Sequence, residues 1–167
     1  MKIEKAQIES IDKIMELIKK CIEDMESKGI YQWNMHYPTK DIFLEDINHG
    51  NLYILIENNE IFGIITFDEN QSSEYKDISW ISKNGKVLVI HRLAINPIYQ
   101  KHGFGRALMD FAEGEAYKKG FNSIRLDAYS GNQRTLKFYE NRDYKKTGQL
   151  YFPYRELPFY CYEKILP

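Results

Sequence analysis

The sequence predicts an α/β fold built as a single domain over residues 1–167, and three features predict it. A run of β-branched and aliphatic residues, Val87 to Ile90 and Leu93 to Ile95, is broken only by His91 and Arg92 and ends at Asn96-Pro97, as a buried strand would. It passes through Gln100-Lys101-His102-Gly103-Phe104-Gly105-Arg106 into Leu108, Met109, Phe111, Ala112 and Ala116, which recur at helical spacing until Gly120. A second strand follows, with Ile124, Leu126 and Ala128 alternating with Arg125 and Asp127, and then a short helix from Asn132 to about Asn141. Strand, helix, strand, helix implies a right-handed parallel pairing of the two strands.

The remaining elements can be taken in order. Ile3, Ala6 and Ile8 among charges predict a short edge strand over residues 2–8. Ser10 stands where it can cap a helix in which Ile11, Ile14, Met15, Ile18, Cys21, Ile22 and Met25 form one apolar face, and Gly29 ends it. An aromatic and amide-rich segment from Ile30 to Tyr37 closes at Pro38, and a second helix runs from about Lys40 to Ile47, before Gly50. Residues 52–56 and 61–67 read as strands of a hairpin turning at Asn58-Asn59. A polar loop over 69–77, a short stretch holding Trp80 and the turn Lys83-Asn84-Gly85-Lys86 lead into the central strand. Tyr144 to Leu150 and Phe159 to Ile165 can pair as a closing hairpin, and no repeat, low-complexity tract or linker interrupts the chain.

Composition narrows the function classes. With 23 Lys plus Arg against 24 Asp plus Glu, the net charge of −1 offers no general attraction to nucleic acid or to an anionic membrane, so a charged ligand must be met locally. No run approaches the roughly 18 apolar residues of a membrane helix, and the first thirty residues are too charged for a signal peptide, so a cytoplasmic protein is expected. Cys21 and Cys161 lie far apart and outside any Cys/His cluster, so both read as free thiols and no metal site is expected. The 13 tyrosines and 9 phenylalanines thicken toward the C-terminus, where Tyr151-Phe152-Pro153-Tyr154 can cover a pocket or a second copy in a homodimer.

The glycine turn carries the chemistry. The first turn of a helix leaves backbone N–H groups without carbonyl partners, and the helix dipole adds partial positive charge there. Gly103 and Gly105 remove side chains that would hold a phosphate away and permit positive φ, while Lys101 and Arg106 add charge. An isolated Gly-x-Gly is equally explained by helix–strand packing.

The order Gln-x-x-Gly-x-Gly after a strand ending Leu93-Ala94-Ile95-Asn96-Pro97 resembles the pyrophosphate-binding motif of the GCN5-related N-acetyltransferases (GNAT). The resemblance covers almost the whole chain, with its specific motifs between His91 and Tyr144. It implies a mixed, mostly antiparallel sheet with a central splayed pair of parallel strands, flanked by helices on both faces. It also implies acetyl-CoA (CoA) as acyl donor and direct transfer to an amine with no covalent enzyme intermediate. Leu93, Ala94 and Ile95 would meet the pantetheine arm, and Gln100, Lys101, His102, Gly103, Phe104, Gly105 and Arg106 the phosphates. Tyr139 matches the family tyrosine that protonates the departing thiolate, and Asn132 the amide that often binds pantetheine. The backbone N–H of Leu93 would polarise the thioester carbonyl. A Gln-Trp-Asn stretch, here Gln32, Trp33 and Asn34, lies where similar enzymes have a substrate wall, although Trp33 can equally plug a gap between two helices. One departure is Asp143 in place of a usual glycine, and aspartate tolerates the left-handed turn better than most residues.

His91, on the strand face of Val89 and Leu93, is a candidate general base because an imidazole can take up a proton near neutrality; a hydrogen-bonded core histidine and a water base remain open. Two other readings compete. A Rossmann-like nucleotide-binding domain would use Gly103-Phe104-Gly105 and Asp127, but Leu108 stands at its third glycine and no second nucleotide-binding half follows. A CoA-binding sensor could keep the cradle without turnover. The amine acceptor, a small molecule or a peptide, is not encoded legibly.

Overall fold

The computed structural model describes residues 1–167. In chain order the elements are β1 (Lys2–Lys5), α1 (Ile11–Ser27), α2 (Lys40–Asn48), β2 (Leu52–Glu57), β3 (Glu60–Asp68), β4 (Val87–Ile95), α3 (Phe104–Lys118), β5 (Ser123–Tyr129), α4 (Gln133–Glu140), β6 (Lys145–Leu150) and β7 (Phe159–Ile165). The strands form a mixed sheet in the order β1-β2-β3-β4-β5-β7-β6, in which β4 and β5 pair in parallel. The open, all-parallel sheet of a Rossmann domain does not form, because hairpins at both ends of the chain make antiparallel ladders. The chain divides into two compact units, Met1–Phe67 with His91–Ala112, and Asp68–Ile90 with Glu113–Pro167.

In the first unit, the apolar face of α1 buries Ile14, Leu17 and Ile18 against Phe43 of α2, Leu52 and Ile54 of β2, and Ile64 of β3. Each fully buried aliphatic side chain contributes about 1.5–3 kcal/mol relative to exposure. The opposite face of the β2–β3 hairpin stacks Tyr53 on Phe67 at 4.9 Å, with Phe111 of α3 5.0 Å from Tyr53. Asn58 and Asn59 both take positive φ (49° and 64°), as a two-residue type I′ turn requires. Thr39 caps α2 by accepting from Ile42 N at 3.4 Å. Ser10 precedes α1 but its side chain makes no cap, because residues 8–10 already form a 3₁₀ turn that runs straight into the helix.

In the second unit, the parallel register runs from Val87↔Ser123 to Ile90↔Leu126, and β7 pairs antiparallel with β5 from Ser123↔Ile165 to Tyr129↔Phe159. The segment between β3 and β4 is pinned onto this ladder by a buried ion pair. Glu163, with no exposed surface, accepts from Arg125 Nε at 3.0 Å and from the backbone N–H groups of Ile81 (2.5 Å) and Ser82 (3.2 Å). Arg125 also donates to Gln71 Oε1 (2.7 Å) and to the Ser82 carbonyl (2.8 Å), and its guanidinium lies over Trp80. A second carboxylate, Glu113 of α3, accepts from Arg142, Tyr144 Oη and Lys164. Asp143 takes φ 66°, the left-handed turn expected of it.

Removing one partner of such a pair strands the other charge in the interior. Glu163→Gln should therefore lower unfolding free energy by about 3 kcal/mol or more. Chemical denaturation would read this as a lower midpoint, and an unchanged midpoint would show that the clasp is dispensable.

Candidate active site

In the first unit, the second half of β4 leads into the glycine turn. His91, Leu93 and Ile95 are half-buried, while Arg92 and Ala94 are buried. The Ile95 carbonyl accepts from the Cys21 thiol at 3.3 Å and from Gln100 Nε2 at 3.4 Å, so the turn is tied to the strand end that precedes it. Asn96 caps the short 3₁₀ turn over Pro97–Tyr99, its Oδ1 accepting from Ile98 N.

The turn itself differs from the sequence expectation. Gly103 does take positive φ (83°), but Gly105 lies within the first turn of α3, and the second left-handed residue is Lys101 at φ 68°. Gly105 thus makes no use of a left-handed backbone angle. A Cβ on Gly103 would meet nothing within 4 Å, so open space lies beside the helix start. Ala107 N donates to Gly103 O at 3.0 Å, and the N–H groups of residues 104–106 precede it in the first turn, where no intrahelical carbonyl is available. Lys101, His102 and Arg106 are exposed around them. His102 Nδ1 lies 2.9 Å from the Gln100 carbonyl, and Phe104 packs its ring near Phe62 and His102.

The segment Gln32-Trp33-Asn34 is held from two sides. Trp33 is 7% exposed and belongs to the core beneath α1 and α2. Asn34 Oδ1 accepts from the N–H groups of His36 (2.8 Å) and Tyr37 (3.2 Å), closing a local turn, and Gln32 is half-buried beside it. Tyr37 Oη in turn accepts from Arg92 Nη1 at 3.1 Å, while Arg92 Nη2 pairs with Asp46 of α2 at 2.6 Å. Arg92, which in the sequence merely interrupts an apolar strand, is the residue that fastens this segment to β4.

In the second unit, Tyr139 sits on α4 at 6% exposure, among the rings of Phe138, Tyr144 and Tyr162. Burial first, and then the negative charge of Asp127, push its phenol well above the ordinary tyrosine value. Asn132 caps α4, its Oδ1 accepting from Thr135 N at 3.3 Å, so its carbonyl oxygen serves the helix. Asp127 of β5 accepts a hydrogen bond from Tyr75 Oη at 2.7 Å and stands directly opposite Cys161 of β7. Burial pushes the thiols of Cys161 and Cys21 up to about 12, which leaves both protonated and unreactive as nucleophiles.

A model of the acetyltransferase (GNAT) family matches residues 12–144. The chain belongs to this family. Over 88 residues it is 27% identical to the ribosomal-protein bS18 alanine N-acetyltransferase of Escherichia coli K12, a match covering 46% of this chain and 59% of that protein. The chain thus spans about three-fifths of the length of the curated relatives it matches. A solved Staphylococcus aureus Mu50 chain assigned to the acetyltransferases is 27% identical, superposes with a TM-score of 0.80 and is covered in full, as is this chain. The PaiA N-acetyltransferase of Thermoplasma acidophilum, solved in complex with coenzyme A, shares the fold at a TM-score of 0.69 and 17% identity, over 99% of this chain and 98% of that one.

Two residues escaped sequence reasoning. Asp127 entered only as a ribose-binding acid of the competing nucleotide-binding reading, although a carboxylate alternating into a buried strand was signal enough to ask what it faces. Tyr75 lies in a polar loop whose pattern gives no hint of a buried phenol. Elsewhere, no helix is long and apolar enough to cross a membrane, and no group of three or more His, Cys, Asp or Glu side chains is placed to hold a metal ion.

Proposed function

We propose that this chain is an N-acetyltransferase that moves an acetyl group from acetyl-CoA directly to a primary amine of a small molecule or peptide. The observation that carries the reading is the strand, turn and helix of the first unit in a chain of this family. The first-turn N–H groups of α3 adjoin open space at Gly103, with Lys101 and Arg106 exposed beside it, which suits an anionic pyrophosphate. Acetyl-CoA, when bound, supplies an activated thioester and that pyrophosphate. Residues 100–106 would hold the phosphates, and the backbone of Leu93, Ala94 and Ile95 the pantetheine arm.

Amide formation joins the amine nitrogen to the acetyl carbon and breaks the carbon–sulfur bond; one proton leaves the amine and one is needed at the sulfur. The Leu93 N–H would stabilise charge developing on the carbonyl oxygen. Tyr139, neutral and buried, would supply the hydrogen bond and finally the proton to the departing thiolate. For the amine proton there are two candidates, His91 on β4 and Asp127 on β5. Asp127 has the specific support of a donor, Tyr75, that holds its carboxylate at 2.7 Å. The segment Gln32-Trp33-Asn34 would form an acceptor wall, with Trp33 anchoring it from the core. The relative that acetylates an alanine of a ribosomal protein favours a peptide amine among the acceptors to be tried.

Acetyl-CoA should raise the melting temperature while NAD at equal concentration does much less, and Gly105→Val should abolish most of that shift with the fold intact. Gly105 is the better probe than Gly103, whose φ of 83° would strain any side chain. A Gly105→Val protein that keeps the full shift would place the cofactor elsewhere.

Turnover is best followed as release of free CoA thiol over a panel of amines. Tyr139→Phe should lower kcat by about 10- to 1000-fold while the affinity for acetyl-CoA hardly changes, since a general acid is worth about 10²–10⁴ and the ring is retained. Full turnover in this variant would remove the acid role. Binding without turnover for every amine would instead support a CoA sensor.

The two base candidates separate by pH profile. If Asp127 accepts the proton, Asp127→Asn removes the acidic limb of kcat/KM and His91→Ala leaves it in place; the reverse pattern assigns the role to His91.

A further inference from the structure

The cluster around Arg92 in the first unit holds more polar chemistry than packing requires. Arg92 is 9% exposed on a largely apolar strand, and its Nη2 pairs with Asp46 Oδ2 at 2.6 Å, where the Thr66 hydroxyl also donates at 3.3 Å. Its Nε is buried with no hydrogen-bond acceptor. A buried ion pair is weak support for stability, since apolar side chains of like volume often fill such a place at no loss, and an unpaired buried donor adds a cost. The remaining tie is to Tyr37, whose hydroxyl oxygen accepts from Arg92 Nη1 at 3.1 Å. The backbone of Tyr37 is fixed as well. It exchanges N–H···O bonds with Asn34 (3.0 and 3.2 Å), and its N–H also reaches Asn34 Oδ1 at 3.2 Å, yet Tyr37 stays 37% exposed. A surface ring is thus held rigidly by a buried cation.

We infer that Arg92, paired with Asp46, positions the Tyr37 hydroxyl to donate a hydrogen bond to an amide carbonyl of the acceptor, beside the amine that is acetylated. The inference rests on the acetyltransferase reading above and narrows its acceptor to an α-amino amide, such as a peptide N-terminus. A guanidinium only donates, so in this contact the phenol oxygen accepts and the phenol's own hydrogen is directed elsewhere. Accepting from a cation polarises the O–H and strengthens the bond it gives. Asp46 matches the charge of Arg92, so the cluster presents a neutral donor, which suits an amide carbonyl better than a carboxylate. The placement agrees. Tyr37 closes the turn begun at Asn34 of the proposed acceptor wall, and Arg92 immediately precedes Leu93, whose N–H would meet the thioester carbonyl. A donor held in place beforehand costs the complex less ordering than a mobile one.

The test compares alaninamide with isopropylamine, which lacks the carboxamide, by release of CoA thiol from acetyl-CoA with the full chain. Each variant is compared with wild type on the same amine, so the differing basicity of the two amines cancels. Tyr37→Phe should lower kcat/KM for alaninamide about 3- to 10-fold, the worth of one hydrogen bond, chiefly through KM. For isopropylamine the change should be about twofold or less. Replacing the pair together, Arg92→Met with Asp46→Leu, strands no charge and should bring the same selective loss, to which Tyr37→Phe should then add little. Equal effects of Tyr37→Phe on both amines, or none on alaninamide, overturn the inference, as does a folded pair variant that keeps the wild-type preference. A wild-type protein that acetylates other amines of the panel but not alaninamide overturns it too. Tyr37→Phe keeps the ring of a surface residue, so this arm decides even where the pair replacement does not fold. Failure of wild-type protein to bind CoA, read separately as the melting shift, would instead count against the acetyltransferase reading.

Discussion

Glu163 has no exposed surface, yet it carries a negative charge between Arg125 and two backbone N–H groups, and the polar architecture of the second unit depends on it. Moving a carboxylate into the interior costs several kcal/mol, which is offset only when its oxygens are saturated with well-aligned donors. Here the donors come from two places, a neighbouring strand and a segment with little regular structure. Desolvation therefore converts a long connection into a fixed element. Tyr75 and Trp80 ride on that segment, and through Tyr75 the clasp reaches Asp127. A long connection is held in a fixed place by a charge that cannot be left unpaired.

The first unit solves a different problem, presenting backbone N–H groups at the start of α3. Two left-handed residues, Lys101 and Gly103, with His102 between them, turn the chain sharply after the strand end. A left-handed lysine costs on the order of 1 kcal/mol or more, a strain that is common at functional turns. Gln100 and Cys21 both donate to the Ile95 carbonyl, which holds the strand end in place against that strain. The same strand carries Arg92, whose ties to Asp46 and Tyr37 fix the segment after α1, so β4 organises both the proposed phosphate site and the proposed acceptor wall.

The elements that sequence reasoning found share a property: each is written in local periodicity. The helical face from Ile11 to Met25, the hairpin at Asn58-Asn59 and the run from Val87 to Ile95 through the glycines are all visible because neighbouring residues repeat a pattern. What stayed hidden is long-range and polar. Arg125 alternates correctly within its strand, but nothing local says that it meets Glu163, 38 residues away. Tyr75 is surrounded by polar residues and reads as solvent-facing, yet it is buried because its hydroxyl finds a carboxylate on another element. The turn shows the same limit on a smaller scale: the glycine spacing located the turn into the helix, but which residues take positive φ depends on where the helix begins.

The elevated phenol of Tyr139 bears on how acid and base would work together. An ordinary phenol near 10 is already a weaker acid than a thiol near 8.5, so giving its proton to a thiolate is uphill by about 2 kcal/mol. Burial alone does not widen that gap, because it raises thiols as well, as Cys161 shows in the same unit. The charge of Asp127 opposes ionisation of Tyr139 too, as it does that of the Cys161 thiol. In the proposed chemistry that opposition is temporary. Once Asp127 takes the amine proton it becomes neutral, and the field that held the proton on Tyr139 is gone at the stage when the sulfur needs it. Until then the phenol can stabilise the developing thiolate only as a hydrogen-bond donor. If Asp127 and not His91 is the group that takes the amine proton, removal at the amine and delivery at the sulfur would be coupled through one carboxylate, and the order of the two steps would follow from its charge.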